Sequence, residues 1–212
     1  MARRPQAGAP RVPKPYNPLE KRRLAESIVR ELLTSEPEPL GELSPFIGVG
    51  IYVIYYRGEF GLYGPISALN QEEFTAPIYV GQAVAKGGRK GSFSEVSNSS
   101  ALFGRLNQHA TSIRLAQNLE LSDFFCRFLV IDEFWISLAE SLLIDSYRPL
   151  WNVAMDGFGN HDPGKGRHQG KRPSWDTLHP GRPWAEKLQP SALSAERISA
   201  VVRAHLESAP PP

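Results

Sequence analysis

From Val49 to Tyr56 the chain reads Val-Gly-Ile-Tyr-Val-Ile-Tyr-Tyr, apolar or aromatic on both alternating faces. A strand with one wet face alternates apolar and polar residues, so this run predicts a central strand covered on both sides. Ile78-Tyr79-Val80 predicts a second, shorter strand and Phe124 to Ile131 a third. Elsewhere the apolar spacing lengthens to that of a helix. Leu24, Ile28 and Leu32 mark one face of an N-terminal helix, with Asn17 as cap, Pro18 in the first position and Glu20 at the capping-box position. Ser35-Glu36-Pro37-Glu38-Pro39 stops it. Phe103, Leu106, Ala110 and Ile113, spaced 3, 4 and 3, predict a helix from about Ala101 to Gln117. Another runs from Phe134 to Tyr147, where Arg148-Pro149 ends it. A terminal helix, capped by Ser194, carries Ile198, Val201, Val202 and Leu206. Strands and helices mixed in this order predict an α/β (α+β) fold.

The connections are uneven. Between Tyr52 and Tyr79 lie 26 residues, among them Gly58, Gly61, Gly64, Pro65 and Pro77, where a hairpin has a short turn. Residues 157–190 are rich in Gly, Pro and His, which predicts an irregular segment anchored by Trp175, Leu178 and Trp184. At 212 residues the chain is long enough for one substantial domain.

Composition changes this picture little. Hydrophobic residues make up 41% and no apolar run is long enough to span a bilayer, which predicts a soluble protein. The basic start leads into Pro-rich polar sequence without the apolar stretch of a signal peptide. Cys126, the single cysteine, argues against disulfides and a cysteine zinc site, and predicts a reducing, intracellular, cytoplasmic setting. Net charge is only +2, but Lys165, Arg167, Lys171, Arg172, Arg182 and Lys187 gather in one segment against Asp176 and Glu186. Such a stretch can follow a phosphate backbone or be a solvated loop.

Candidate chemistry centres on Glu140. It shares a helix side with Ile136, Leu143, Ile144 and Tyr147, while Ser137, Ser141, Asp145 and Arg148 gather on another. A carboxylate on a core-facing stripe is costly to desolvate unless it pairs with a cation. A lone carboxylate suits magnesium, which keeps several waters and takes few protein ligands. Arg105 and His109 sit one helical turn apart on the flank of the Phe103 stripe, where they can point at one ligand. The arginine presents a planar fork of donors matched to phosphate oxygens. The histidine can accept or relay a proton near neutrality, or hold a tyrosine hydroxyl in place. Asn160-His161-Asp162 lacks the cysteine pairs or second histidine that a metal site there would need.

Gly50-Ile51-Tyr52, Tyr79-Val80-Gly81, Arg105 with His109, and Glu140 followed by Asn152 resemble, in this order, the GIY-YIG nuclease family. The resemblance covers about Gly48 to Asn152, with YVG in place of YIG and an unusually long gap between the two motif strands. It implies a small three-stranded antiparallel sheet flanked by helices. Residues 48–155 would form the catalytic core with an insertion at 57–77, preceded by a helical arm over 1–47 and followed by a basic extension over 156–212 packed on the same domain.

The resemblance also implies hydrolysis of DNA phosphodiesters with one Mg2+ (or Mn2+) per active site, held by Glu140. Arg105 would stabilise the pentacovalent transition state, Tyr52 activate water and Tyr79 align phosphate or water. Asn152 would support the carboxylate and nearby backbone. The long gap leaves Tyr55 and Tyr56 open as alternatives to Tyr52. With no obvious appended DNA-binding module, the chain is similar to the small type II restriction endonucleases of the family, and Arg-Pro-Ser-Trp and Leu-His-Pro-Gly-Arg-Pro-Trp to the subgroup cutting CCGCGG. A palindrome implies two-fold symmetry and hence a homodimer on DNA. Lys165, Arg167, Gln169, Lys171 and Arg172 are the candidate DNA-binding residues, since Arg to guanine is the favoured major-groove contact. A structure-selective repair nuclease and a catalytically silent DNA-binding protein are the alternatives.

Overall fold

A computed structural model describes residues 21–85, 99–164, 166 and 169–208. Its centre is strand β2, Gly50–Tyr56, with all seven residues buried. Strand β3, Pro77–Ala83, pairs antiparallel along one side of it and strand β4, Phe124–Val130, along the other. A two-residue strand β1, Glu38–Pro39, adds to β4, so the order across the sheet is β1-β4-β2-β3. The sheet therefore has four strands where three were predicted. The Pro-containing helix stop becomes an edge strand because Leu40 is buried beside it and its N–H reaches the Phe124 carbonyl at 3.0 Å. Proline is tolerated at such an edge, where its missing N–H weakens no inner ladder.

Alternation along β2 sends Ile51, Val53 and Tyr55 to one face and Tyr52, Ile54 and Tyr56 to the other. Helix α1, Lys21–Thr34, and helix α4, Glu133–Tyr147, cover the first face through Leu32, Ile136, Ala139 and Leu143. The cap predicted at Asn17 to Glu20 lies outside the described residues. Helix α3, Ala101–Leu115, covers the second face through Leu102, Leu106, Ala110 and Ile113. Leu102, not Phe103, heads that buried stripe, while Leu106, Ala110 and Ile113 are buried as predicted. Trp151, Phe158, Trp175, Ile198 and Val202 complete this second core from the C-terminal half.

Helix α4 has clear ends. Asp132 accepts from the Phe134 N–H at 2.8 Å, and Arg148 closes the helix in the left-handed region, φ 44°, before Pro149. The connection from β2 to β3, expected as a long loop, is folded. It contains a 3-10 turn, Gly61–Tyr63, and helix α2, Gly64–Leu69, with Pro65 in its first turn. Asn70, fully buried, closes its base by donating to the carbonyls of Tyr56 and Ala76 and accepting from the Ala76 N–H.

Among the described residues, the predicted irregular segment after Gly157 holds the short helix α6, Ser174–Leu178, and a 3-10 turn, Ala185–Lys187, after helix α5, Leu150–Val153. Helix α7, Ala195–Ser208, ends the described chain, and Ser194 Oγ accepts from the Arg197 N–H as its cap. Trp175 is buried as expected, but so is Arg182, which the sequence places in a basic, flexible stretch. Its guanidinium grips both carboxylate oxygens of Asp176, at 2.6 and 2.5 Å, so it is not available to a phosphate backbone. Among the described residues no helix is long and apolar enough to cross a membrane.

Candidate active site

Tyr52 and Tyr79 stand on neighbouring strands and on the same face, with ring centroids 6.2 Å apart. Their closeness depends on Gly81, the residue opposite Tyr52 in the ladder. A Cβ built there would lie 2.3 Å from the Tyr52 hydroxyl oxygen and 3.0 Å from the Tyr79 ring, so any side chain would push the phenols apart. Gly50 meets a similar limit, its Cβ position lying 1.9 Å from the Leu129 carbonyl oxygen of β4. The two motif glycines thus permit close approach within the sheet. Tyr55 and Tyr56 do not reach the cluster. Tyr55 faces the opposite core and its hydroxyl accepts from Arg127, while Tyr56 accepts from the Phe60 N–H.

Helix α3 brings Arg105 and His109 onto the tyrosines. His109 is not on the flank of the stripe, as its spacing suggested, but inside it, 2% exposed. Its polar ring is tolerated there because Nε2 lies 2.6 Å from the Tyr52 hydroxyl and Phe158 stacks on it at 4.5 Å. Burial, reinforced by the charge of Arg105, holds His109 well below the ordinary histidine range, so it is neutral at physiological pH. Burial likewise raises Tyr52 and Tyr79 above the usual phenol range, and Arg105, within hydrogen-bonding reach of both hydroxyls, pulls them back down. Arg105 itself donates to His161 Nε2 at 2.5 Å and to the Gly159 carbonyl at 2.9 Å. Neither Gly159 nor His161 carries a local sequence signal for this role.

Glu140 reaches the cluster from α4, on the other face, and its charge acts on both tyrosines. It is half-buried on the flank of the Ile136, Ala139 and Leu143 stripe, and burial raises its carboxyl above the ordinary glutamate range. None of the described residues donates a hydrogen bond to it. Among the described residues no cluster of three His, Cys, Asp or Glu side chains forms a ready cage for a metal. A hard cation that takes a single protein carboxylate and completes its shell with water and phosphate fits this donor set.

Asn152, on α5, binds the backbone of β3. Its amide accepts from the Val80 N–H and donates to the Val80 carbonyl, both at 2.8 Å. It thereby completes the free edge of β3 between Tyr79 and Gly81, substituting for a missing strand. Of the basic candidates, Lys165 and Arg167 lie outside the described residues, while Gln169 and Lys171 are exposed. Arg172 is half-buried, with Nε and Nη2 donating to the Ala185 and Glu186 carbonyls at 3.1 and 3.4 Å.

Two tyrosines on adjacent strands of a small antiparallel sheet, met by one helix's arginine and histidine and the next helix's glutamate, define the chain as a nuclease of the GIY-YIG class. A family model described as the Eco29kI GIY-YIG domain, a restriction endonuclease family, matches residues 44–206. The chain belongs to that family, and its substrate is DNA. The match extends well past Asn152 into the C-terminal segment, so the family's pattern includes α6 and α7 as well as the motif core. Comparison with curated proteins finds no match.

Proposed function

We propose that the protein is a type II restriction endonuclease that hydrolyses both strands of a GC-rich palindrome, CCGCGG, leaving 5′-phosphate and 3′-hydroxyl ends. The observation that carries the chemistry is the convergence of Arg105 and His109 on the Tyr52 hydroxyl, with Glu140 alongside. Among the described residues, neutral His109 presents the ring nitrogen poised to take the Tyr52 proton. The phenolate so formed removes a proton from the attacking water, and Arg105 offsets the negative charge on the phenolate and on the pentacovalent phosphorus centre. Tyr79, at the partly exposed rim, orients the water or phosphate. The bond between phosphorus and the 3′-oxygen breaks, and that oxygen leaves as an oxyanion that takes a proton from solvent water to become the 3′-hydroxyl. A magnesium or manganese ion held by Glu140 would neutralise charge on this leaving oxygen. Asn152 keeps Tyr79 and Gly81 in register through Val80.

Each chain carries one such site, so cutting both strands of a palindrome calls for a homodimer on DNA. Gln169 and Lys171, exposed in the extension, and Lys165, Arg167 and Arg172 near them, are the groups we assign to DNA contact. Incubation of the protein with plasmid DNA, with and without Mg2+, followed by sequencing of the ends, tests the reading. A single set of cuts at CCGCGG is expected. Random nicks would overturn the type II assignment, and cutting confined to branched DNA would favour a repair nuclease.

A further inference from the structure

The C-terminal extension enters the catalytic cluster as well as flanking it. Phe158 lies against both His109 and Tyr79, the latter edge-on at 4.9 Å. Gly159 presents its carbonyl to Arg105, and a Cβ there would sit 2.9 Å from the Tyr79 hydroxyl oxygen. His161 Nε2 accepts from Arg105 Nη1. An arginine cannot accept, so the bond requires the lone pair of Nε2 and a neutral imidazole. Three successive contacts therefore bring one loop onto three members of the cluster.

The loop's shape comes from Arg182. Its guanidinium donates to the carbonyls of Gly157, Phe158 and Asn160 at 2.9, 3.2 and 3.2 Å. It is itself fixed by Asp176 and held between the rings of Trp175 and Trp184, 4.6 and 4.7 Å from their centroids. A buried charge tied to three carbonyls within four residues of backbone is a rigid template for what that backbone carries. The guanidinium of Arg105 has five N–H groups, and the loop occupies two of them. Gln108 Oε1 accepts from the same Nη1 at 3.4 Å, and the charge of the guanidinium so held acts on Tyr52 and Tyr79.

We propose that His161 is a positioning residue for strand cleavage: its neutral imidazole, delivered by the loop that Arg182 folds, accepts from Arg105 and aims the guanidinium at the scissile phosphate. This rests on the reading of Arg105 as the group that stabilises the transition state. A fork tethered at two points needs no ordering when substrate arrives, and a displacement of about 1 Å at such a group can slow a reaction on the order of 10²-fold.

The test compares His161→Leu, which removes the acceptor, with His161→Gln, whose side-chain oxygen can take the place of Nε2. Single-turnover cleavage and DNA affinity are measured for each, with hindered rotation of the Arg105 guanidinium followed by NMR in the DNA-free protein. H161L is expected to lose cleavage rate on the order of 10²-fold with DNA affinity within about threefold of wild type, and to free the guanidinium rotation. H161Q is expected to recover most of both. Wild-type rates in H161L, equal damage in H161L and H161Q, or a loss confined to affinity would each overturn the proposal. If the wild-type chain proves unable to cut DNA, the nuclease reading fails on its own, and unchanged Arg105 rotation in H161L would still overturn the tether.

Discussion

Two tyrosine–histidine pairs are buried among the described residues: Tyr52 with His109 at 2.6 Å, and Tyr63 with His179 at 2.5 Å. Each joins a phenol hydroxyl to a histidine Nε2. In the second pair the Trp151 indole N–H donates to the Tyr63 oxygen, and His179 Nδ1 meets the Asn118 oxygen at 2.8 Å, while the Asn118 amide nitrogen donates to the Leu178 carbonyl. The histidine proton therefore sits on Nδ1, and Nε2 accepts from the tyrosine. In the first pair Arg105 takes the place of Trp151. Both histidines are held neutral by burial, His179 as low as about 3. What separates the pairs is charge. Around Tyr63 the donors are neutral, whereas Tyr52 has a guanidinium on one side and the Glu140 carboxylate on the other. A phenol–imidazole bond surrounded by neutral dipoles is a structural joint, and the same bond beside a cation becomes a site where a phenolate can exist.

The largest expected effects come from breaking the charged pair. Tyr52→Phe or Glu140→Gln is expected to lower single-turnover cleavage by about 10²–10⁴-fold while DNA binding in a gel-shift assay persists. Tyr63→Phe, the matching change in the neutral pair, is expected to leave the cleavage rate at 25 °C within about twofold of wild type. It strands the Trp151 N–H and His179 Nε2, so it should destabilise the fold by about 1–3 kcal/mol in urea titration. A cleavage loss in Tyr63→Phe as large as that in Tyr52→Phe would erase the distinction.

This contrast also explains what the sequence disclosed. Tyr52, Tyr79 and Glu140 were legible because each lies in a local pattern: an aromatic in a doubly covered strand, or a carboxylate on an apolar helix stripe. The full burial of His109 was not, since it depends on Phe158 arriving from the far side of the fold. Arg182 reads as one more basic residue until Asp176, Trp175 and Trp184 surround it. Tyr63 and His179 stand 116 positions apart, and His161 stands 56 from Arg105, distances over which spacing carries no signal. The longer elements were legible to within a few residues, whereas β1, α2, α5 and α6 are too short for periodicity to reveal.

A smaller effect appears with pH. His109 and His179 both have folded-state pKa values below the ordinary histidine value of 6.5, so the unfolded chain binds protons that the folded chain refuses. Stability from their neutral burial is fully present above pH 6.5 and is lost as pH falls from there toward 3 for His179. Each histidine contributes at most about 1.4 kcal/mol per pH unit in that window. Urea midpoints measured from pH 7 to 4 should therefore fall, and His179→Gln should flatten the descent by removing one of the two groups. An unchanged slope in that variant would mean that His179 is already protonated in the fold.

The smallest change tests charge itself. Asn118→Asp places a carboxylate at the exposed end of the neutral pair, where it accepts the His179 Nδ1 proton as the amide oxygen does. It forfeits the bond to the Leu178 carbonyl, so a loss of about 1 kcal/mol is expected at pH 7. The nearby anion also favours imidazolium, raising His179 from about 3 and reducing the acid-side loss of stability. At pH 5 the variant should therefore lie closer to wild type in stability than it does at pH 7, with cleavage unaffected at both. If charge is what divides the two pairs, one added carboxylate moves the titration of the silent histidine without giving it chemistry, because Tyr63 still has no cation to hold its phenolate. A variant whose deficit is the same at both pH values would show that the surroundings of His179, rather than its charged neighbours, set its proton affinity.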